Sequence, residues 1–335
     1  MKNIKIQVLF AILLAFSLML GGCATEAETA EMPISEAEVE AVQEASVEEE
    51  PVEEMEVEVM TFTDDLGVAL EFTEYPQTIV SISPSTTEIL FAIGAGEQVV
   101  GRDEMSLFPE EALAVTSVGA MWGDVPAEAI LALEPDLVVA ADIINEDQVQ
   151  ALRDLGLNVY WQADPTNYEE LWENLRKFAA LTGHEDGTEA LIAELEARVN
   201  AVFEKIAPLS YRPSVFYELD ATDPSAPWTT GSGTFIDYII TASGGFNVAS
   251  ALEGEYAQIS TEELIAADPQ IILLADALYG VTPESVAERA GWESMNAVIN
   301  SAIYPIDPNI MSVPGPRLVE ALEITANILH PGVLE

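Results

Sequence analysis

Residues 128–139 read EAILALEPDLVV, and residues 262–273 read EELIAADPQIIL. Each stretch runs Glu, an apolar stripe, an acid, Pro, and then a burst of aliphatic residues, with the Pro seven positions after the first Glu in both. The stripe has helical spacing, and the aliphatic burst after Pro has the composition of a buried strand. A helix and strand written twice in this way predicts two lobes of one design.

The surrounding sequence extends this reading. Residues 78–83 (TIVSIS) alternate and are β-branched, which predicts a strand. A helix follows, with Ser85 or Thr86 as its cap and residues 94–96 as its stop, and then a short strand at QVVGR. NEDQVQALRDLGLNVYWQ repeats the pattern, with Gly156 ending the helix and a strand over residues 157–161. Alternating strands and helices imply a mostly parallel sheet covered by helices. Residues 166–208 change character to a long helical stretch broken once at TGHEDG, a stiff connector. Alternation then resumes with SVFYEL, TFIDYIITASGG, the second copy of the motif, IYPID and the terminal helix GPRLVEALEITANIL. The expected fold is α/β, two lobes spanning residues 61–165 and 209–335 on either side of the connector, with a ligand cleft between them.

The N-terminus is a separate matter. Lys2 and Lys5 precede an apolar run over residues 6–20 that ends in Leu20-Gly21-Gly22-Cys23. This is the pattern of a signal peptide, residues 1–22, with a lipobox-like cleavage site and lipidation at Cys23. Cys23 is the only cysteine, so neither a disulfide nor thiol catalysis is expected. Residues 23–60 contain 14 Glu and no Lys or Arg, the composition of an extended acidic tether. The expected location is extracytoplasmic, held by lipid to the outer face of a bacterial membrane. The whole chain has 59 acidic and 11 basic residues, a formal charge of −48, which argues against nucleic acid or anionic lipid surfaces as partners.

In the second copy Ser260 and Glu263 fit the capping box S-x-x-E, which leaves Glu262 without that task. The segments IVSISPSTTEILFAIGAGEQVVGR, VGAMWGDVPAEAILALEPDLVVA, PWTTGSGTFIDYIITASGGFNVA, YAQISTEELIAADPQIIL and PGPRLVEALE occur in order along the chain. Together they resemble the helical-backbone substrate-binding proteins of ABC importers, a family that delivers cobalamin, ferric siderophores or haem. The resemblance implies a monomer that hands a small-molecule ligand to a permease dimer with its ATPase subunits. It also implies that Glu128 and Glu262, one per lobe, dock on the two permease subunits. Two similar lobes meeting two copies of one partner would explain the echo.

Within that family the chain is most similar to the vitamin B12-binding branch. The resemblance places Trp122, Trp228 and Tyr256 against a corrinoid, with Met105 where that branch has a Tyr. Aromatic and thioether walls suit a large flat ring with amide edges. Arg317, in GPR at a helix start, is a candidate ligand contact and equally a structural hydrogen-bond donor. An anionic siderophore would want Arg or Lys, for which only Arg102 and Arg317 are near the inferred cleft. Haem would want an axial ligand, which leaves Tyr256 or Met105, since His184 and His330 lie off the cleft. Two distant histidines do not build a free-metal site, so no metal and no resident cofactor are expected. No G-x-S-x-G elbow, P-loop or H-E-x-x-H is present, and Ser232 lies in a Gly-flanked turn without a nearby His. The expectation is therefore not an enzyme; a secreted hydrolase or an adhesive surface lipoprotein is the lesser alternative.

Overall fold

The computed structural model describes residues 59–121 and 123–335. The expected signal peptide, the lipidation at Cys23, nearly all of the tether and Trp122 lie outside the described residues. The chain enters through an antiparallel hairpin, β1 (Met60–Thr63) and β2 (Ala69–Phe72). Asp64 holds the turn. Its Oδ1 accepts from the amides of Leu66 (3.1 Å) and Val68 (2.8 Å), and its Oδ2 takes Arg153 in an ion pair.

The first sheet is built from β3 (Ile79–Ser81), α1 (Pro84–Ala92), β4 (Val99–Asp103), β5 (Thr116–Gly119), α2 (Ala127–Leu131), β6 (Leu137–Ala141), α3 (Glu146–Asp154) and β7 (Val159–Gln162). Its five strands are all parallel, in the order β5-β4-β3-β6-β7. Every residue of β6 is buried, as expected of a strand covered by helices on both faces. The cap of α1 is Ser83 rather than the expected Ser85 or Thr86. Pro84 explains the shift, because a Pro has no amide to donate and suits the first helical position, which moves the cap one residue back. Asn145 and Gln148 close a capping box on α3.

Two helices follow, α4 (Tyr168–Thr182) and α5 (Glu185–Ile206), with Asp186 and Gly187 non-helical near the start of the second. The second sheet comprises β8 (Ser214–Glu218), β9 (Trp228–Thr230), α6 (Phe235–Ala242), β10 (Phe246–Asn247), β11 (Tyr256–Gln258), α7 (Thr261–Ala267), β12 (Ile271–Leu274), α8 (Pro283–Ala287), α9 (Asn296–Ile299), β13 (Ile303–Pro305), α10 (Pro308–Met311) and α11 (Leu318–Leu329). Four strands are parallel in the order β10-β8-β12-β13, and β9 pairs with β11 as a separate antiparallel ribbon.

The sequence echo is a structural echo. Glu134 (φ 47°) ends the α2 unit before Pro135, and Asp268 (φ 46°) ends the α7 unit before Pro269. The Asp136 amide donates to the Thr78 carbonyl at 2.9 Å, and the Gln270 amide donates to the Ser214 carbonyl at 2.9 Å. In each lobe the side chain after Pro returns the favour: Asp136 Oδ2 accepts from the Thr78 amide (2.9 Å), and Gln270 Oε1 from the Ser214 amide (3.1 Å). These clasps fix the register of β6 against β3 and of β12 against β8.

One apolar core joins the two sheets. It runs from Ile79 and Val139 through Phe178 of α4 and Val199 of α5 to Tyr217, Leu273 and Leu322. Burying side chains of this kind contributes about 1.5–3 kcal/mol each. Tyr168 of α4 also donates through its hydroxyl to the Leu318 carbonyl at 2.9 Å, tying the connector to α11.

Candidate functional site

In a parallel sheet the loops after the strands are free to carry chemistry, and here those of both sheets face one cleft of about 690 Å³. The first lobe contributes Ser83 and Pro84 after β3, Asp142 and Ile143 after β6, and Asp164 after β7. The second contributes Leu219 after β8, Thr234 and Phe235 at the start of α6, Glu255 and Tyr256 of the ribbon, and the 312–314 turn before α11.

The electrostatics of this cleft are one-sided. Asp142, Asp164 and Glu255 line it, and no Lys, Arg or His does so among the described residues. Burial, reinforced by the charges of Asp142 and Glu255, pushes the Asp164 carboxyl up to about 8. Its amide meanwhile donates to Asp142 Oδ2 at 3.2 Å. Burial and then Asp164, Glu255 and Asp142 push the Tyr256 phenol up to about 12. At neutral pH the site therefore offers a mostly protonated Asp164 beside Asp142 and Glu255, a neutral phenol and apolar surface. Among the described residues no group of three or more His, Cys, Asp or Glu is arranged to hold a metal ion.

The residues singled out from sequence fall in several places. Tyr256 is in the cleft wall and 48% exposed. Trp228 is on a short strand and 42% exposed. Gln258 pairs with Trp228 and Tyr256 with Thr230, so Trp228 shares a face of the ribbon with Tyr256 but is not itself among the residues that line the cleft. Met105 lines a side pocket of about 150 Å³, which shares Pro84 and Val313 with the cleft. Arg317 borders the same side pocket, but its guanidinium is engaged by protein. It donates to Glu88 Oε1 through Nε (3.0 Å) and Nη2, and to the Asn309 carbonyl (2.8 Å). The Phe108 ring covers it at 4.0 Å. The structural role left open for Arg317 is thus the one its geometry fills, since few of its donors remain for a ligand.

Arg102 is also committed, to the carbonyls of Ala112 (2.8 Å) and Asp103 (2.8 Å). His184 bonds to Thr182 and His330 to Gly244, neither of them part of the cleft lining. Glu128 and Glu262 are exposed at the first turns of α2 and α7, and neither carboxylate has a partner among the described residues. The capping box of Ser260 and Glu263 is formed, with Ser260 Oγ accepting from the Glu263 amide at 3.2 Å. Sequence reasoning missed Asp142, Asp164 and Glu255. The signal for the first two was present, because each stands just past the end of a strand in a parallel sheet.

The periplasmic binding protein family model matches residues 79–310, from the first strand of the first sheet into α10. The chain belongs to this family. Its relatives include the uncharacterized ABC transporter substrate-binding lipoprotein YvrC of Bacillus subtilis, 29% identical over 328 residues and covering 96% of each chain. The cobalamin-binding protein of Halobacterium salinarum is 28% identical over 278 residues, 81% of this chain and 74% of that one. Among solved structures of the family, the periplasmic haem-binding protein RhuT from Roseiflexus sp. RS-1 superposes with a TM-score of 0.69 at 27% identity, covering 77% of this chain and 99% of that one.

Proposed function

We propose that this chain is the extracytoplasmic substrate-binding lipoprotein of an ABC importer, anchored through Cys23, and that it captures a corrinoid between its lobes. The observation that carries the ligand class is a cleft of about 690 Å³ that three acidic side chains line and, among the described residues, no cation does. An anionic siderophore or the two carboxylates of haem would meet Asp142 and Glu255 without a counter-charge, at a cost that grows as water is expelled, and would further oppose the ionisation of Asp164. A phenol pushed up to about 12 is also a poor source of the phenolate that an axial tyrosine would supply to haem iron. A corrinoid brings amide donors for the carboxylates and a broad apolar face for Tyr256, Trp228 and Trp122. The YvrC and Halobacterium relatives support the importer and corrinoid parts of the reading, respectively. The RhuT likeness favours haem as the second reading. Glu128 and Glu262 then dock the loaded protein on the permease, setting register and encounter rate.

Titration of the protein with cyanocobalamin, hemin and ferric enterobactin, followed by Trp fluorescence, tests the ligand. Saturable sub-micromolar quenching by cyanocobalamin alone is expected. Saturation by hemin or the ferric chelate instead overturns the corrinoid assignment while keeping the receptor role.

A further inference from the structure

Glu88 and Arg317 form a joint between the lobes that the connector does not account for. Glu88 projects from α1 of the first lobe and Arg317 precedes α11 of the second. The carboxylate side chain is 3% exposed and the guanidinium 16%. Both Arg317 nitrogens that reach Glu88 go to Oε1, while Oε2 is buried without any partner. A Cβ built on Gly315 would lie 2.9 Å from that oxygen, so the turn before α11 presses directly on it. A half-satisfied buried pair is a poor device for stability alone, because desolvation offsets much of the attraction. Burial in fact outweighs Arg317 here and lifts the Glu88 carboxyl to about 7.

Its position gives it a different use. The residues leading into α1 (Ser83, Pro84) and those leading to Arg317 (Val313, Pro314) are opposing walls of the cleft. Farther along the same cleft Asp164 of the first lobe faces the side that carries Glu255, and the charges of Glu255 and Asp142 oppose its ionisation, so repulsion between the walls grows as pH rises toward 8 when no ligand lies between them. The ties of this region to the connector are the Tyr168 hydroxyl on the Leu318 carbonyl and the Arg198–Glu323 ion pair, both on the connector helices.

We propose that the Glu88–Arg317 pair is a latch between the lobes that holds the cleft at its binding width against the repulsion of its acidic walls. Phe108 keeps water from the guanidinium, and loss of either partner lets the lobes part about the connector. The latch builds on the cleft as the ligand site, but its direct readout needs no ligand.

Spin labels at Asp147→Cys on α3 and Glu284→Cys on α8, both exposed positions, would report the distance between lobes in the full chain carrying Cys23→Ser. The unliganded parent should give one narrow distribution. Glu88→Gln, which keeps the shape and removes the charge, should broaden it toward longer distances. The Glu88→Leu/Arg317→Met pair, which removes both charges and leaves none stranded, should broaden it further while retaining the melting temperature. Cyanocobalamin affinity should fall about tenfold in the double variant, as expected if about one molecule in ten then holds the competent width. Distributions that coincide with the parent in both variants overturn the latch. Broadening without any cyanocobalamin binding, in parent or variant, sustains the latch and removes only the corrinoid assignment.

Discussion

The α2–β6 unit and the α7–β12 unit present the same acid on the same turn, yet they reach it differently. The α7 helix opens with a capping box, Ser260 with Glu263, whereas α2 opens at Pro126 with no side-chain cap and runs only five residues. At the other end Asp268 both takes the left-handed conformation and binds Asn296 through its amide (2.7 Å) and side chain (2.6 Å), while Glu134 takes that conformation without such bonds. What the two units share is the strand clasp, the Pro and the exposed Glu. The means of ending the helix are free to differ, so the shared part is the part to suspect of function.

Charge reversal gives the largest expected effect. Glu128→Lys with Glu262→Lys should abolish uptake in a transport assay and leave ligand affinity within about twofold, because both side chains are exposed and neither lines the cleft. Retained uptake would reduce the echo to a folding motif. Next come the buried acids of the two lobes. Asp276 of the second lobe is pushed up to about 6 by burial and Glu218, and Asp164 of the first to about 8. Each folded value lies above the ordinary carboxylate range, so each group's contribution to stability is present at low pH and lost as pH rises through that value. The melting temperature should therefore decline from pH 5 to pH 9, with Glu88 acting between the two. Asp276→Asn should flatten the decline only below about pH 6, and Asp164→Asn should flatten it over the whole span up to about pH 8, because each unfolded carboxyl ionises near about 4; a slope unchanged in both would show these groups to be solvated.

Smaller effects probe the helix ends. Ser260→Ala should cost about 1 kcal/mol by urea unfolding, the usual loss for a cap residue, whereas no residue at the start of α2 offers an equivalent site. Asp268→Gly should destabilise, since it sacrifices the Asn296 bonds, while Glu134→Gly should be neutral or stabilising by a few tenths of a kcal/mol through relief of the left-handed backbone. Equal responses of the two glycine variants would mean that the Asn296 bonds contribute nothing.

Local rules carried the sequence reading far. The spacing of apolar residues, the Gly stops and the S-x-x-E pattern are all satisfied within a few residues of chain, and Ser260, Gly156 and β6 stand where those rules place them. The hairpin of residues 60–72 and the β9–β11 ribbon were not legible, because strands only three or four residues long acquire their identity from the strand they pair with. The cleft was legible in kind and not in charge. Attention to aromatic side chains singled out Tyr256, which lines the cleft, and Trp228, which does not, while Asp164 stands out only once the fold sets it near Glu255. Arg317 shows the reverse limit: its sequence context marks a polar role, but only the approach of the turn before α11 to α1 reveals that Glu88 is the partner.

The apolar core that passes from Ile79 through Phe178 to Leu273 without interruption has a consequence for how the molecule comes apart. Two sheets that share one interior melt together, so calorimetry should record a single endotherm, and neither half expressed alone should be recovered as a folded product. A chain of this kind can bend at its seam and still cannot be divided there.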